Sequence, residues 1–235
     1  MAGTAAAASK KSAAAARPKK SGSGGGSVAK KAYLIAYNAA SAVAWAAVLG
    51  RVAVVLAWRG APFVPLVVDN FARITQTFAV MEILHAITGV VPAQIFTTLL
   101  QVASRLILVW GIALPFPELS TSPWYSSMLL AWSTTEVVRY SYFVFKQVDA
   151  VPSWLNWMRY SGFLVLYPVG ISSEVAMMLK AVAGPAASLS EWYPLALIAV
   201  LLAYIPSSFV LYTHMLKQRR KNVGGGASAA LKKRQ

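Results

Sequence analysis

A tyrosine and a glutamate lie seven residues apart in an apolar stretch: Tyr167 and Glu174 within 165-VLYPVGISSE-174. Seven residues of helix turn through about 700°, so both side chains are predicted to share one face, with their Cα atoms about 10.5 Å apart. That gap can hold a small reacting group between a phenol and a carboxyl. No basic residue lies within one turn of Glu174. The spacing therefore indicates a proton-transfer pair.

The segment between the two residues is expected to depart from a straight helix. Pro168 cannot donate to the carbonyl four residues before it, and Gly170 adds a second flexible point. We therefore expect a kink beside Tyr167, with the hydroxyls of Ser172 and Ser173 nearby.

Other ionisable residues also lie in apolar stretches, where each costs at least about 2.5 kcal/mol on insertion scales. Four polar groups are predicted about 14–18 Å deep from the cytosolic end of their spans: Glu82, Arg105, Glu136 and Tyr167. This shared depth indicates a polar cavity. The alternative is a structural network, in which Glu136 pairs with Arg139 at i, i+3 and Arg105 pairs with Glu82 or Glu136. His85 is expected to be a packed histidine.

The elements that carry these residues are predicted to be membrane-spanning helices. Hydrophobic residues make up 57% of the 235 residues and charged residues 12%, against about 45–50% and about 25% in soluble domains. Stretches of about 20 apolar residues are long enough to cross a bilayer. Six occur, at about 32–57, 70–91, 93–114, 123–145, 157–181 and 192–215. We therefore predict an all-α, polytopic membrane protein with six transmembrane helices.

The formal net charge of +15 is concentrated in two tails. Residues 1–31 and 215–235 each hold seven Lys/Arg and no acid, whereas 32–214 hold eight basic and seven acidic residues. This distribution argues against nucleic acid as a partner. Two basic tails are both expected to be cytosolic, which requires an even number of spans. The predicted organisation is a disordered tail at 1–31, a transmembrane catalytic domain at 32–215, and a second basic tail at 216–235.

The end of the chain and the counts of cysteine and histidine give two further indications. Lys232 and Lys233 stand four and three residues from the end of the chain and resemble a dilysine retrieval signal of the endoplasmic reticulum. The sequence has no cysteine and two histidines. Disulfides, thiolate metal sites and multi-histidine metal cages are therefore excluded, and no metal is expected.

Three motifs resemble those of a known family. They are 82-EILHAITGVVPAQIFTTLLQVASR-105, 132-WSTTEVVRYSYF-143 and 159-RYSGFLVLYPVGISSE-174. In content and order they are similar to the very-long-chain (3R)-3-hydroxyacyl-CoA dehydratase family, also called protein-tyrosine-phosphatase-like or PASTICCINO2-type. The resemblance covers about 33–215. It implies a six-span protein of the endoplasmic reticulum membrane with both termini cytosolic, and a catalytic pair formed by Tyr167 and Glu174.

The implied reaction is dehydration of (3R)-3-hydroxyacyl-CoA to trans-2-enoyl-CoA, the third step of very-long-chain fatty acid elongation. A base removes the C2 proton and an acid protonates the departing C3 hydroxyl. We favour Glu174 as base and Tyr167 as acid, and the reverse assignment stays open. No cofactor is expected, because coenzyme A is part of the substrate. The implied partners, besides membrane lipid, are the condensing enzyme, ketoacyl-CoA reductase and enoyl-CoA reductase.

Three basic residues are predicted to form a rim for the coenzyme A phosphates: Arg139, Lys146 and Arg159. The ordinary positive-inside bias explains them equally well.

Two other functions stay open. One is a catalytically inactive, phosphatase-like membrane scaffold or regulator, and the other is a transporter, although inverted repeats are absent. The segment 85-HAITGVVP-92 has Ala86 and Pro92 where a tyrosine phosphatase loop needs Cys and Arg. Phosphatase chemistry is therefore excluded, whereas binding of phosphoproteins by this segment is a minor alternative.

Overall fold

The computed structural model describes residues 24–92 and 95–224, and these ranges contain helices and no strand. The predicted all-α class is therefore confirmed. The α-helices are α1 Gly24–Trp58, α2 Val64–Thr77, α3 Val80–Ile87, α4 Ile95–Leu106, α5 Pro117–Ser120, α6 Pro123–Gln147, α7 Ser153–Ser161, α8 Phe163–Ala183 and α9 Trp192–Arg219. A π-helical segment, Ile107–Ala113, extends α4.

Within the described residues, four helices are long and apolar enough to cross a membrane: Ser27–Trp58, Ile95–Ala113, Phe163–Ala183 and Trp192–Asn222. They correspond to the first, third, fifth and sixth predicted stretches. Their length and apolar composition indicate a membrane-embedded protein. The second stretch is divided between the shorter helices α2 and α3, and α6 is long enough but too polar to join the four. The count of six spans stays a prediction.

One end of the helix bundle collects the start of α1 and the ends of α3 and α6. The Tyr33 hydroxyl on α1 lies 2.8 Å from Nε2 of His85 on α3. The Tyr37 ring, one turn further along α1, packs edge-on against Tyr140 of α6, with centroids 6.2 Å apart. Arg219, at the end of α9, donates to Ser161 at the end of α7. We call this the basic end, because Lys146, Arg159 and Arg219 lie there.

The opposite end collects the starts of α6 and α9 and the end of α8. Lys180, late in α8, donates to Ser122 just before α6 at 3.2 Å. Tyr193, early in α9, donates to the carbonyl of Gly111 at 2.5 Å. Successive long segments therefore run in alternating directions between the two ends.

The centre of the bundle is α6, which packs between α1 and α8. Its buried side chains include Met128, Leu129 and Trp132, and they meet Trp45 of α1 and Met177 of α8 in one cluster. Helices in lipid associate through close packing of small residues rather than through the hydrophobic effect. Accordingly, a Cβ placed on Gly170 of α8 would lie 3.7 Å from the Cβ of Ala131 on α6.

Three element boundaries differ from the sequence-based expectation. The fifth stretch is interrupted at Gly162, between α7 and α8, and α8 continues through Pro168. Helix α1 begins at Gly24, inside the expected tail, because 28-VAKKA-32 consists mainly of good helix formers. Helix α9 ends at Arg219 and a π-helical segment continues to Gly224, so 216–224 of the expected C-terminal tail are helical. Residues 1–23 and 225–235, including Lys232 and Lys233, lie outside the described residues.

Candidate active site

The Glu174 carboxyl is buried between three helices. Its side chain belongs to α8, and only 6% of the residue is exposed. The indole Nε1 of Trp132 on α6 donates to Oε1 at 2.7 Å. The hydroxyl of Tyr204 on α9 donates to Oε2. Among the ion pairs formed within 24–92 and 95–224, none includes Glu174, so neutral donors hold this carboxyl.

Tyr167 lies seven residues before Glu174 on the same face of α8, and it also contacts α9. Its hydroxyl donates to the backbone carbonyl of Ser208 at 2.9 Å. Its ring stacks on Tyr212, with centroids 5.7 Å apart and an interplanar angle of 24°. Tyr167 and Glu174 thus face the same neighbouring helix, as their spacing predicts, and each is bonded to that helix rather than to the other.

A stripe of three residues on α9 makes these contacts. Tyr204, Ser208 and Tyr212 are spaced by four residues, so they lie on one face of the helix. We call them the α9 stripe. The stripe was not predicted, because the sixth stretch is otherwise a continuous apolar span. A polar side chain at every fourth position of that span was the available signal.

A second polar cluster, the ion network, joins α3, α4 and α6. It consists of Glu82, Arg105, Glu136 and Arg139. Arg139 donates to both carboxyl oxygens of Glu82, at 2.8 and 2.6 Å, and to Glu136 at 2.6 Å. Arg105 donates to the other oxygen of Glu136. Two carboxylates face two guanidinium groups, so the network is electrically neutral.

The network matches the structural alternative for these residues. Arg105 pairs with Glu136 rather than Glu82, and Glu136 pairs with Arg139 at i, i+3. The Tyr140 hydroxyl, one turn from Glu136, also donates to Glu82. Three of the four groups expected at one depth therefore meet.

The fourth group, Tyr167, makes its hydrogen bond elsewhere, and Glu174 approaches the network in its place. The link is Trp132. The guanidinium carbon of Arg105 lies 5.1 Å from the centre of the Trp132 ring, while the N–H of that ring donates to Glu174. Trp132 begins one of the three family-like motifs, but its residue type and position alone did not predict this role.

The structure brings together two of the three predicted rim residues. Lys146 and Arg159 lie at 6.0 and 5.8 Å from the centre of the Tyr142 ring. Lys146 is exposed and Arg159 is half-buried. Arg139, in contrast, is engaged with Glu82 and Glu136 inside the ion network. Phosphate groups at this rim would therefore meet Lys146 and Arg159.

His85 packs as expected. It is buried, its ring lies edge-on to Tyr37 with centroids 4.9 Å apart, and its Nε2 pairs with Tyr33. The residues around it form the end of α3 and a turn in which Gly89 adopts a φ of +68°. The phosphatase-like spacing of this segment thus belongs to a helix end.

These features define a class: an all-helical, membrane-embedded protein with a neutral ion network beside a buried carboxyl and a phenol. Comparison with known proteins specifies it further. Residues 76–225 match the family model described as "Protein tyrosine phosphatase-like protein, PTPLA". The chain belongs to this family.

Curated relatives cover most of the chain. A protein of Schizosaccharomyces pombe, named probable very-long-chain (3R)-3-hydroxyacyl-CoA dehydratase, is 39% identical over 83% of this chain and 94% of its own length. PASTICCINO 2 of Arabidopsis thaliana, a very-long-chain (3R)-3-hydroxyacyl-CoA dehydratase by name, is 39% identical with the same coverage. Dehydratase 2 of Homo sapiens is 33% identical over 81% of this chain and 80% of its own length. No solved structure matches.

Proposed function

We propose that this chain catalyses the dehydration of (3R)-3-hydroxyacyl-CoA to trans-2-enoyl-CoA, the third step of very-long-chain fatty acid elongation. The names of its relatives support this substrate class. The observation that carries the proposal is the Glu174 carboxyl, which is buried, held by two neutral donors, and placed on the same helix as Tyr167. A carboxyl without a counterion can take up and release a proton more readily than one held in an ion pair.

The proposed chemistry uses the two side chains as a base and an acid. Glu174 removes the proton from C2, the carbon beside the thioester carbonyl. The electron pair of that C–H bond forms the C2–C3 double bond as the C3–O bond breaks. Tyr167 gives its proton to the departing hydroxyl, and water leaves. The proton on Glu174 then returns to the tyrosinate, directly or through water, and no cofactor is consumed.

The resting hydrogen bonds are compatible with these roles. An ionised carboxylate has about four lone-pair sites. Trp132 and Tyr204 occupy two, so acceptor capacity remains for the C2 proton. The Tyr167 hydroxyl donates to the Ser208 carbonyl in the absence of substrate. It would exchange that acceptor for the C3 hydroxyl. The assignment of base and acid can also be reversed.

The test is water loss from a long-chain (3R)-3-hydroxyacyl-CoA by purified, detergent-solubilised protein. Tyr167→Phe and Glu174→Gln should each lower kcat by at least about 100-fold, the usual contribution of a general acid or base. Tyr193→Phe is a matched control, because it removes another tyrosine-to-carbonyl bond, near the other end of α9. Glu118→Gln, on the short helix α5, is the carboxyl control.

Each outcome bears on a different part of the proposal. A folded wild type without activity would overturn the function and favour a catalytically inactive scaffold. Full activity in both Tyr167→Phe and Glu174→Gln would retain the dehydratase and refute the pair. Equal losses in the two control variants would show that the assay reports damage to the fold.

We further propose that the protein crosses the endoplasmic reticulum membrane six times, with both termini and the basic end in the cytosol. The alternating direction of the long segments supports an even number of crossings. The anionic coenzyme A head would then meet Lys146 and Arg159 from the cytosol, while the acyl tail lies among the helices. The implied partners are the condensing enzyme, ketoacyl-CoA reductase and enoyl-CoA reductase.

The absence of cysteine from the sequence makes this topology testable. Ala150→Cys, between α6 and α7, and Ser190→Cys, between α8 and α9, each introduce one exposed thiol. In sealed microsomes, a membrane-impermeant maleimide should label Ala150→Cys, and should label Ser190→Cys only after detergent is added. Labelling of both without detergent would refute the proposed topology.

A further inference from the structure

Helix α9 contacts both proposed reacting groups through one stripe of residues. Tyr204 bonds the Glu174 carboxyl, and the Ser208 carbonyl, one turn further on, accepts from Tyr167. We propose that Tyr204 is a positioning residue: its hydroxyl fixes the Glu174 carboxyl in the orientation that proton removal from C2 requires. This inference rests on the proposed dehydration.

A glutamate carboxyl needs such support because its terminal torsion is broad and nearly two-fold. One hydrogen bond leaves the carboxyl free to turn about that bond. In this site each oxygen has its own donor, and the two donors belong to different helices, α6 and α9. The carboxyl plane is therefore defined from both sides. A reacting carboxyl must be held to within about 10–20° of its productive orientation.

The two donors differ in how far they also serve the fold. Trp132 is 2% exposed and lies within the core cluster, with Arg105 against its ring. Its removal would disturb packing as well as the site. Tyr204 is half-buried on α9, a helix whose only buried side chains in the described part are Leu197 and Leu201. Loss of the Tyr204 hydroxyl therefore separates positioning from packing.

The Tyr204 hydroxyl is also poorly explained as a simple packing element. A hydroxyl among apolar groups costs free energy unless it is hydrogen-bonded. Among the described residues, its hydrogen-bond partner is the carboxyl of Glu174, the proposed base, which lies 30 residues away in the chain. Phenylalanine would fill the same volume without needing a partner. The hydroxyl is thus best accounted for by what it does to Glu174.

The experiment compares Tyr204→Phe with the wild type in the dehydration assay. We expect kcat to fall about 10- to 100-fold with KM within about twofold, as for a lost hydrogen bond to a charged group that acts in the chemical step. Tyr193→Phe, the matched control on the same helix, should keep its kcat. Tyr204→Leu gives a second variant without the hydroxyl and should lose kcat at least as strongly as Tyr204→Phe.

A double variant separates positioning from a general structural role. If Tyr204 acts through Glu174, adding Tyr204→Phe to Glu174→Gln should lower the residual kcat no further. An additional loss equal to that in the wild-type background would overturn the proposal. An unchanged kcat in Tyr204→Phe, measured beside an active wild type, would also overturn this proposal. That result would leave the proposed dehydration intact. A folded but inactive wild type would overturn both.

Discussion

Removal of the Arg139 side chain tests the ion network most directly. Arg139 donates to both oxygens of Glu82 and to Glu136. In Arg139→Gln, two carboxylates face Arg105 alone, and the network carries a net charge of −1 in an apolar environment. Removing one partner of a buried ion pair costs about 3–5 kcal/mol. For a chain of about 150–250 folded residues, each kcal/mol shifts Tm by about 2–4 °C. We therefore expect Tm to fall by at least about 6 °C.

The assay is thermal unfolding in detergent, followed by the fluorescence of the eight tryptophans. Arg51→Gln is the matched control: its side chain is exposed on α1, and its recorded contact is with the Phe71 ring at 4.4 Å. An exposed contact of this kind is worth about 0.5–1 kcal/mol. Its Tm should therefore fall by no more than about 4 °C.

The double variant Arg139→Gln/Glu82→Gln isolates the charge imbalance. It restores neutrality, because Glu136 and Arg105 remain as one pair. We expect its Tm to lie above that of Arg139→Gln. If the double variant is no more stable than the single one, or if Arg139→Gln shifts Tm by less than about 2 °C, charge compensation does not hold this cluster together and the reasoning fails.

Two further predictions concern the basic rim and the contact between α6 and α8. Arg159→Glu should raise KM for the acyl-CoA about tenfold, equivalent to about 1.4 kcal/mol, with little change in kcat, whereas Arg59→Glu, at the opposite end of the bundle, should leave KM unchanged. If steady-state kinetics give the same KM for both variants, Arg159 does not bind the coenzyme A phosphates. Gly170→Leu should push α8 away from Ala131 on α6, which should lower the free energy of unfolding by about 1–3 kcal/mol and reduce activity. Val169→Leu, on the exposed face of α8, should be tolerated. If Gly170→Leu unfolds at the same temperature as the wild type, the two helices are not closely packed at this point.

The all-α class was predictable from the sequence. Ion pairs were predictable only where both partners lie on the same helix. Glu136 and Arg139 are three residues apart, so their pairing follows from helix geometry. Contacts between helices were not predictable in the same way. Arg105 had two candidate partners at similar depth, and only the arrangement of the helices in space selects Glu136. Depth along a span says nothing about which face a side chain occupies.

The break that divides the second stretch into α2 and α3 was also not predictable from the sequence. Helices α2 and α3 are separated at Phe78 and Ala79, where no proline or glycine marks a break. Turn residues are the main local signal for helix ends, so pattern reasoning predicted one span. Tyr204 was missed for a related reason. A tyrosine in an apolar helix is common, and its role becomes visible only through its partner, which lies 30 residues away.

The ion network has a consequence for biogenesis. Glu82 is translated as part of α3 and Arg105 as part of α4, yet Arg139, which pairs with Glu82, is translated 57 residues after it. At about 5–20 residues per second, Glu82 waits roughly 3–11 s for its partner. Helix α6 brings Glu136 and Arg139 together, whereas α3 and α4 each bring one charge of the network alone. The first half of the chain therefore completes its charge pairing only after α6 has been made. A chain truncated before α6 should be degraded faster than the full-length protein in a pulse-chase experiment.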